Sequence, residues 1–245
     1  MQHPKLRDQK RLLVREPYPL NEIPDEIIYS IGGYFVFLLY AGRNDISGDD
    51  WGNAFADAIG GTHLGSPLGI ADVIREKMAL SMKTVKNADP FSASSVRIIS
   101  GRCSPDYSYG ITDPHDDVEK TGRAVLEIWN ERVNIATEEY SPVRNCVLIR
   151  SNDLKSFCLF EEDCHRFRTA DYTWEANKNG NLIGIEKYTG ITRFTWQPHG
   201  SQFTIHTTVP DNARKFTLRH PDPMKKDDIL EKIGFDSSWL TFTNN

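Results

Sequence analysis

The sequence predicts an α/β chain of the α+β kind, a mixed β-sheet flanked by helices with a β-meander after it. Three observations carry that prediction. Two stretches show helical spacing of apolar residues, 23–41 and 116–140. Five short apolar runs of strand length lie between turn signals, among them GIADVI, MALSMKTV and SSVRIISG. From Asp171 onward the composition turns to Thr, aromatic and β-branched residues, punctuated by Asn179-Gly180 and Thr189-Gly190.

The elements follow in order. The first 20 residues are charged and Pro-containing and are expected to form an arm on the surface or on a partner subunit. Pro24 ahead of an apolar run favours a helix over 23–41. Ser47 followed by Asp49 and Asp50 is a helix start, with the helix running through Trp51, Phe55 and Ile59 to Gly60-Gly61. GIADVI and MALSMKTV, separated by Arg75-Glu76-Lys77, read as a hairpin, and SSVRIISG as a third strand. The helix over 116–140 places Val118, Val125, Ile128, Trp129, Val133 and Ile135 near one side. RNCVLIRS and SFCLFEED are two further strands. The segment 171–208 reads as the meander, ARKFTLRH as an added strand and KKDDILEKIG as a closing helix.

At 245 residues and 39% apolar content the chain is expected to be one domain: arm and first helix over 1–46, a core over 47–170, a β-rich region over 171–220 and a closing helix over 221–245. The net charge of −5 gives no global attraction to polyanions, but basic residues cluster locally. Arg75, Lys77, Lys83, Lys86, Arg97 and Arg102 face only Glu76 and Asp89 in their segment, and Arg193, Arg214, Lys215 and Arg219 face only Asp211. Cys103, Cys146, Cys158 and Cys164 form no CxxC pair, which points to a reducing cytoplasm. Cys158, Cys164 and His165 lack a convincing fourth zinc ligand. The run 27–41 is shorter than a membrane span and is interrupted by Gly32-Gly33, so it reads as core or dimer interface, and no membrane partner is expected. Acidic Glu22, Asp25 and Glu26 ahead of it argue against a signal peptide. No GxxxxGK[ST] occurs, so no nucleotide cofactor is expected, and HExxH and GxSxG are also missing.

The chemistry sits in GIADVIREKMALSMKTVK. Residues two apart on a strand share a face, so Ser81 and Lys83 point the same way, and pairing of the two runs brings Asp72 beside them. Charges placed among apolar neighbours need a partner or a ligand. A carboxylate, a lysine and a further acid suit metal-assisted phosphodiester hydrolysis, in which hard oxygen ligands hold Mg²⁺ and the lysine orients water or anion.

Asp72 followed by Ser81-Met82-Lys83 resembles the PD-(D/E)xK nuclease superfamily in its type II restriction endonuclease branch, with Ala71 where the family has Pro and Ser81 where it has an acid. The order of elements from 47 to 165 resembles that family's core as well. The resemblance implies a restriction-endonuclease-like fold and Mg²⁺-dependent, sequence-specific cleavage of double-stranded DNA by a homodimer. It assigns Asp72 as metal ligand, Lys83 as the water-orienting residue and Ser81 as support. The missing carboxylate is then supplied by a helix, from Glu119, Glu127 or Asp57, with Glu127 the acid named for the metal. The alternatives are a catalytically silent DNA-binding or assembly protein on the same fold and a structure-specific DNA repair nuclease.

For DNA binding, RFTWQPHGSQFTIH supplies Arg193, Gln197, His199, Ser201 and Gln202 around an expected turn, side chains that can read base edges in a major groove. Lys178 in the Asn-Lys-Asn turn, Lys86, Arg97 and Arg102 are the remaining candidates for phosphate or base contacts. Asn130, a poor interior helix residue, hints at a polar role in the long helix.

Overall fold

The computed structural model describes residues 16–65 and 70–243; most of the expected arm (1–15) and the link 66–69 ahead of Ile70 lie outside the described residues. Two helices come first, α1 (Asp25–Tyr40) and α2 (Gly48–Ile59). Asp25 and Glu26 occupy the first turn of α1, near the positive end of its dipole. Ser47 caps α2 in a capping box with Asp50, and Gly60 closes it in the left-handed region.

Strands β1 (Thr62–His63), β2 (Val73–Arg75) and β3 (Met78–Lys86) follow, β2 and β3 forming a hairpin that turns at Glu76 and Lys77. Next come β4 (Ser95–Arg102), a short helix α3 (Pro105–Tyr109), the long helix α4 (Val118–Glu139), β5 (Val143–Arg150) and β6 (Ser156–Asp163). The strands β7 (Tyr172–Ala176), β8 (Leu182–Glu186), β9 (Thr192–Gln197) and β10 (Gln202–Thr208) make the meander, and β11 (Arg214–Thr217) and α5 (Lys226–Lys232) complete the order.

The strands form two sheets. The first runs β1-β2-β3-β5-β6-β11, with β3 and β5 parallel; the second runs β4-β10-β9-β8-β7 and is antiparallel. The expected boundary at 171 is therefore corrected at two points. Strand β4 leaves the core to become an edge of the meander's sheet, and β11 returns to pair with β6. The closing helix is shorter than 221–245, spanning only Lys226–Lys232.

Alternation sorts the first sheet's side chains. Met78, Leu80, Met82, Cys146, Leu148, Phe157 and Leu159 pack under α1 and α2 with Phe35, Trp51 and Phe55. Ala79, Val147, Ile149, Cys158 and Phe160 face α4 and the second sheet, meeting Trp129, Phe194 and Phe203. Each fully buried large apolar side chain contributes about 1.5–3 kcal/mol. The helical stripe of α4 includes Val125, Trp129 and Val133 as expected, but Ile135 is exposed, because two residues past Val133 the helix has turned by about 200°.

One polar cluster crosses this core. Arg144 and Glu161, both buried, are joined at 2.9 Å, and the Tyr18 hydroxyl and Asn21 amide donate to the same Glu161 carboxylate at 2.7 and 3.3 Å. Glu16 reaches the other end of the guanidinium. This cluster fastens the segment before α1 to β5 and β6. Burial pushes Glu161 above the usual carboxylate range, against the pull of Tyr18 and Arg144.

Candidate active site

The β2–β3 hairpin pairs Val73 with Leu80, and Asp72 stands one step beyond that pair. Its Oδ2 accepts the Met82 backbone N–H at 2.7 Å, lies 3.5 Å from the Ser81 hydroxyl and 3.7 Å from Lys83 Nζ. The three residues singled out in the sequence thus meet, with side chains only 22% exposed at Asp72 and 16% at Lys83. Lys83 projects toward α4 because Met82, its neighbour on the opposite face, is taken up by the α1–α2 core. Burial holds the Lys83 ammonium below its ordinary range; Asp72 opposes this, and the Arg132 charge on α4 adds to it.

Two residues not singled out in the sequence belong to this neighbourhood. Arg132 donates to the Arg102 carbonyl at 2.9 Å and influences both Lys83 and the buried Cys103 thiol. Its signal was available, since Arg132 falls three residues after Trp129 and seven after Val125, at a core-stripe position. Glu162 lies in register with Asn145, which lies in register with Ser81. It accepts from Asn145 Nδ2 at 3.1 Å and from the Thr207 hydroxyl. Its signal was the strand alternation Cys158, Phe160, Glu162, which puts an acid on the core face. Cys164 sits between the two groups: burial pushes its thiol up to about 12, Lys83 pulling down and Glu162 and Asp163 pushing up.

The helix acids are placed elsewhere. Glu119 accepts the Trp174 backbone N–H at 3.0 Å and so serves the second sheet. Glu127 is exposed beside α3, where burial and then its charge push the Tyr109 phenol up. Asp57 is exposed on α2, whose packed face covers the side of the sheet opposite Lys83. The expectation that a helix donates the missing carboxylate is corrected accordingly, including Glu127 as metal ligand. Among the described residues no three His, Cys, Asp or Glu side chains stand together as a metal site. The carboxylate in direct contact with Lys83 is that of Asp72, and Glu162 lies two strands away in register.

The base-reading candidates divide. Gln197, Gln202 and Arg102 are consecutive partners across β9, β10 and β4, at the end of the second sheet that carries the tip 198–201 with His199 and Ser201. Ser201 has a positive φ of 52° at that tip. Lys178 is exposed in the turn 177–181 at the same end of the sheet. Arg97 is exposed on β4 opposite His206, toward the other end. Arg193 pairs with Glu186 at 3.6 Å and Lys86 with Asp45 at 2.9 Å. A cleft of about 240 Å³ between the sheets is lined by Asn145, Glu162, His165, Arg193 and Thr207 over a floor of Trp129 and Phe194. All four cysteines are free and buried, and no helix among the described residues is long and apolar enough to cross a membrane. No family model, no curated protein and no solved structure matches the chain.

Proposed function

We propose that the chain is a Mg²⁺-dependent endonuclease of double-stranded DNA, of the site-specific restriction type and working as a homodimer. The observation that carries this reading is the meeting of Asp72, Ser81 and Lys83, with Asp72 Oδ2 3.7 Å from Lys83 Nζ. The charges at Lys83 support it: beside its partner Asp72 the Arg132 cation also acts on it, and a second cation at the pair favours an anionic group such as a phosphodiester. The order of α2, the hairpin, α4 and β5, with β3 and β5 parallel neighbours, also supports a restriction-endonuclease-like core.

In this mechanism Asp72 would hold the metal, its orientation fixed by the Met82 amide and the Ser81 hydroxyl. The chemistry such an ion would supply there is an activated water and neutralisation of charge on the phosphate. Lys83, held by Asp72 and deprived of water, orients the attacking water and donates to a phosphate oxygen. Arg132, held by its bond to the Arg102 carbonyl, keeps further guanidinium N–H groups and draws the phosphate toward the pair. Arg102, Gln202, Gln197 and the tip at His199 present donors and acceptors to the duplex.

The absence of a three-acid cluster among the described residues favours a second reading, a DNA-binding protein without cleavage. Incubating the protein with duplex DNA and Mg²⁺ separates the two. Discrete fragments that vanish with Lys83→Ala support the proposal, intact but retarded DNA supports binding alone, and erosion from ends or branches supports a repair nuclease.

A further inference from the structure

The outer face of α1 takes no part in the site above. From 27 to 42 the chain carries no charged residue, yet α1 buries only Ile27, Ile31, Phe35, Leu38 and Leu39. Tyr29 is 83% exposed, Phe37 61% and Tyr40 40%, with exposed Gly33 between them. Spaced at i, i+4, i+8 and i+11, these four positions form one stripe. A helix that is apolar all round is a helix covered all round, and contiguous exposed aromatics mark an interaction surface. An apolar groove runs beside the stripe, between α1 and β11, lined by Ile28, Gly32, Val36, Phe216 and Leu218.

Charges at the two ends of the stripe identify its occupant. Asp25 is engaged by Arg214 and Arg43 by Asp50. Glu22 and Glu26 remain at one end without an ion pair among the described residues, and so does Lys225 at the other. Lys225 is brought there by the bond from the Met224 amide to the Tyr40 carbonyl at 3.0 Å. A second copy of α1 laid antiparallel sets each acidic end against the other's basic end and opposes the two helix dipoles. No lysine or arginine lies within the stripe to attract an anionic membrane. A Cβ at Gly33 meets no atom within 4 Å in its own chain, which leaves room there for another helix to approach closely.

We propose that α1 is an isologous interface between two copies of this chain, packed antiparallel through Tyr29, Phe37 and Tyr40 with the two-fold axis near Gly33. Such a contact closes at the dimer. The proposal assigns the surface for the homodimer of the reading above, and it is tested without cleavage, so that its failure and the failure of the nuclease activity are told apart.

In sedimentation velocity at micromolar concentration the full chain is expected at twice its 27.9 kDa mass. Phe37→Asp is expected at the single-chain mass with unchanged circular dichroism. Because Glu26 is exposed, a charge reversal tests the contact without threatening the fold: Glu26→Lys raises the dimer dissociation constant by about tenfold, and adding Lys225→Glu restores it. Gly33→Cys cross-links to itself on mild oxidation, the native cysteines being buried. A single-chain mass for the unaltered protein, dimers that persist in Phe37→Asp, or no cross-link at Gly33→Cys would overturn the proposal. So would loss of the dimer on deleting residues 1–15, which would make that segment the occupant, or recruitment of a monomer to phosphatidylcholine vesicles.

Discussion

The Met82 backbone N–H donates to the Asp72 carboxylate at 2.7 Å, so a side chain stands where the β2–β3 ladder would otherwise supply a carbonyl. That substitution ends the hairpin and points a carboxylate at Lys83. The Asp72–Lys83 pair and the local backbone are one structure, and a change to Asp72 is felt in both.

Lys83 carries the first consequence. Its amine titrates below the ordinary value of 10.5 because burial disfavours the ammonium. Between the native value and 10.5 the unfolded chain binds more protons than the folded one, so this residue's contribution to stability rises with pH across that window. Urea unfolding of the protein and of Lys83→Met should show the unaltered chain gaining on the variant as pH climbs toward 10.5. Parallel curves would contradict the shift.

Arg144 and Glu161 give the second. Removing one member of a buried pair strands the other, at about 3–5 kcal/mol. Arg144→Met should therefore destabilise by that amount in denaturant unfolding. Arg144→Met combined with Glu161→Gln should recover at least half of it, because no bare charge remains inside.

Asn130 is the mid-helix residue whose role the sequence left open. Its Nδ2 donates to the Phe167 carbonyl and its Oδ1 accepts the Phe167 amide, both at 2.8 Å, so the side chain imitates a strand partner for the loop after β6. Asn130→Ala improves helix propensity by less than ~0.7 kcal/mol but orphans two backbone groups at ~1–3 kcal/mol. A net loss of about 1–2 kcal/mol is expected in thermal unfolding. Asn130→Asp, which keeps the acceptor, should fall between.

Gly122 on α4 provides a steric test. A Cβ there would come within 2.1 Å of the Trp174 indole, itself stacked against Phe194 at 5.9 Å. Gly122→Ala should cost about 1–3 kcal/mol through overpacking. Gly48→Ala, where a Cβ meets nothing within 4 Å, should stay within about 0.5 kcal/mol of the parent.

The sequence conveyed what depends on local pattern. The capped start at Ser47, the hairpin turning at Glu76-Lys77 and the meander after Asp171 all follow from period and turn chemistry, and so does the shared face of Ser81 and Lys83. What required three dimensions was the pairing between distant strands. Nothing in SSVRIISG announces that it deserts β3 for β10, since a half-exposed strand satisfies either edge. For the same reason the placing of Glu162 on the Lys83 face, two strands away, depends on a register that only the β3–β5–β6 alignment reveals. Arg132 was hidden by its stripe position, where an aliphatic residue is the ordinary expectation.

One turn of α4 collects contacts from every side of the molecule. Trp129 donates to the His165 carbonyl, Asn130 clasps Phe167, and Arg132 holds the Arg102 carbonyl beside Lys83. The loop after β6 and the end of β4 are therefore mounted on a common bearing about one helical pitch long, and neither can shift without moving the stretch of helix that carries the other.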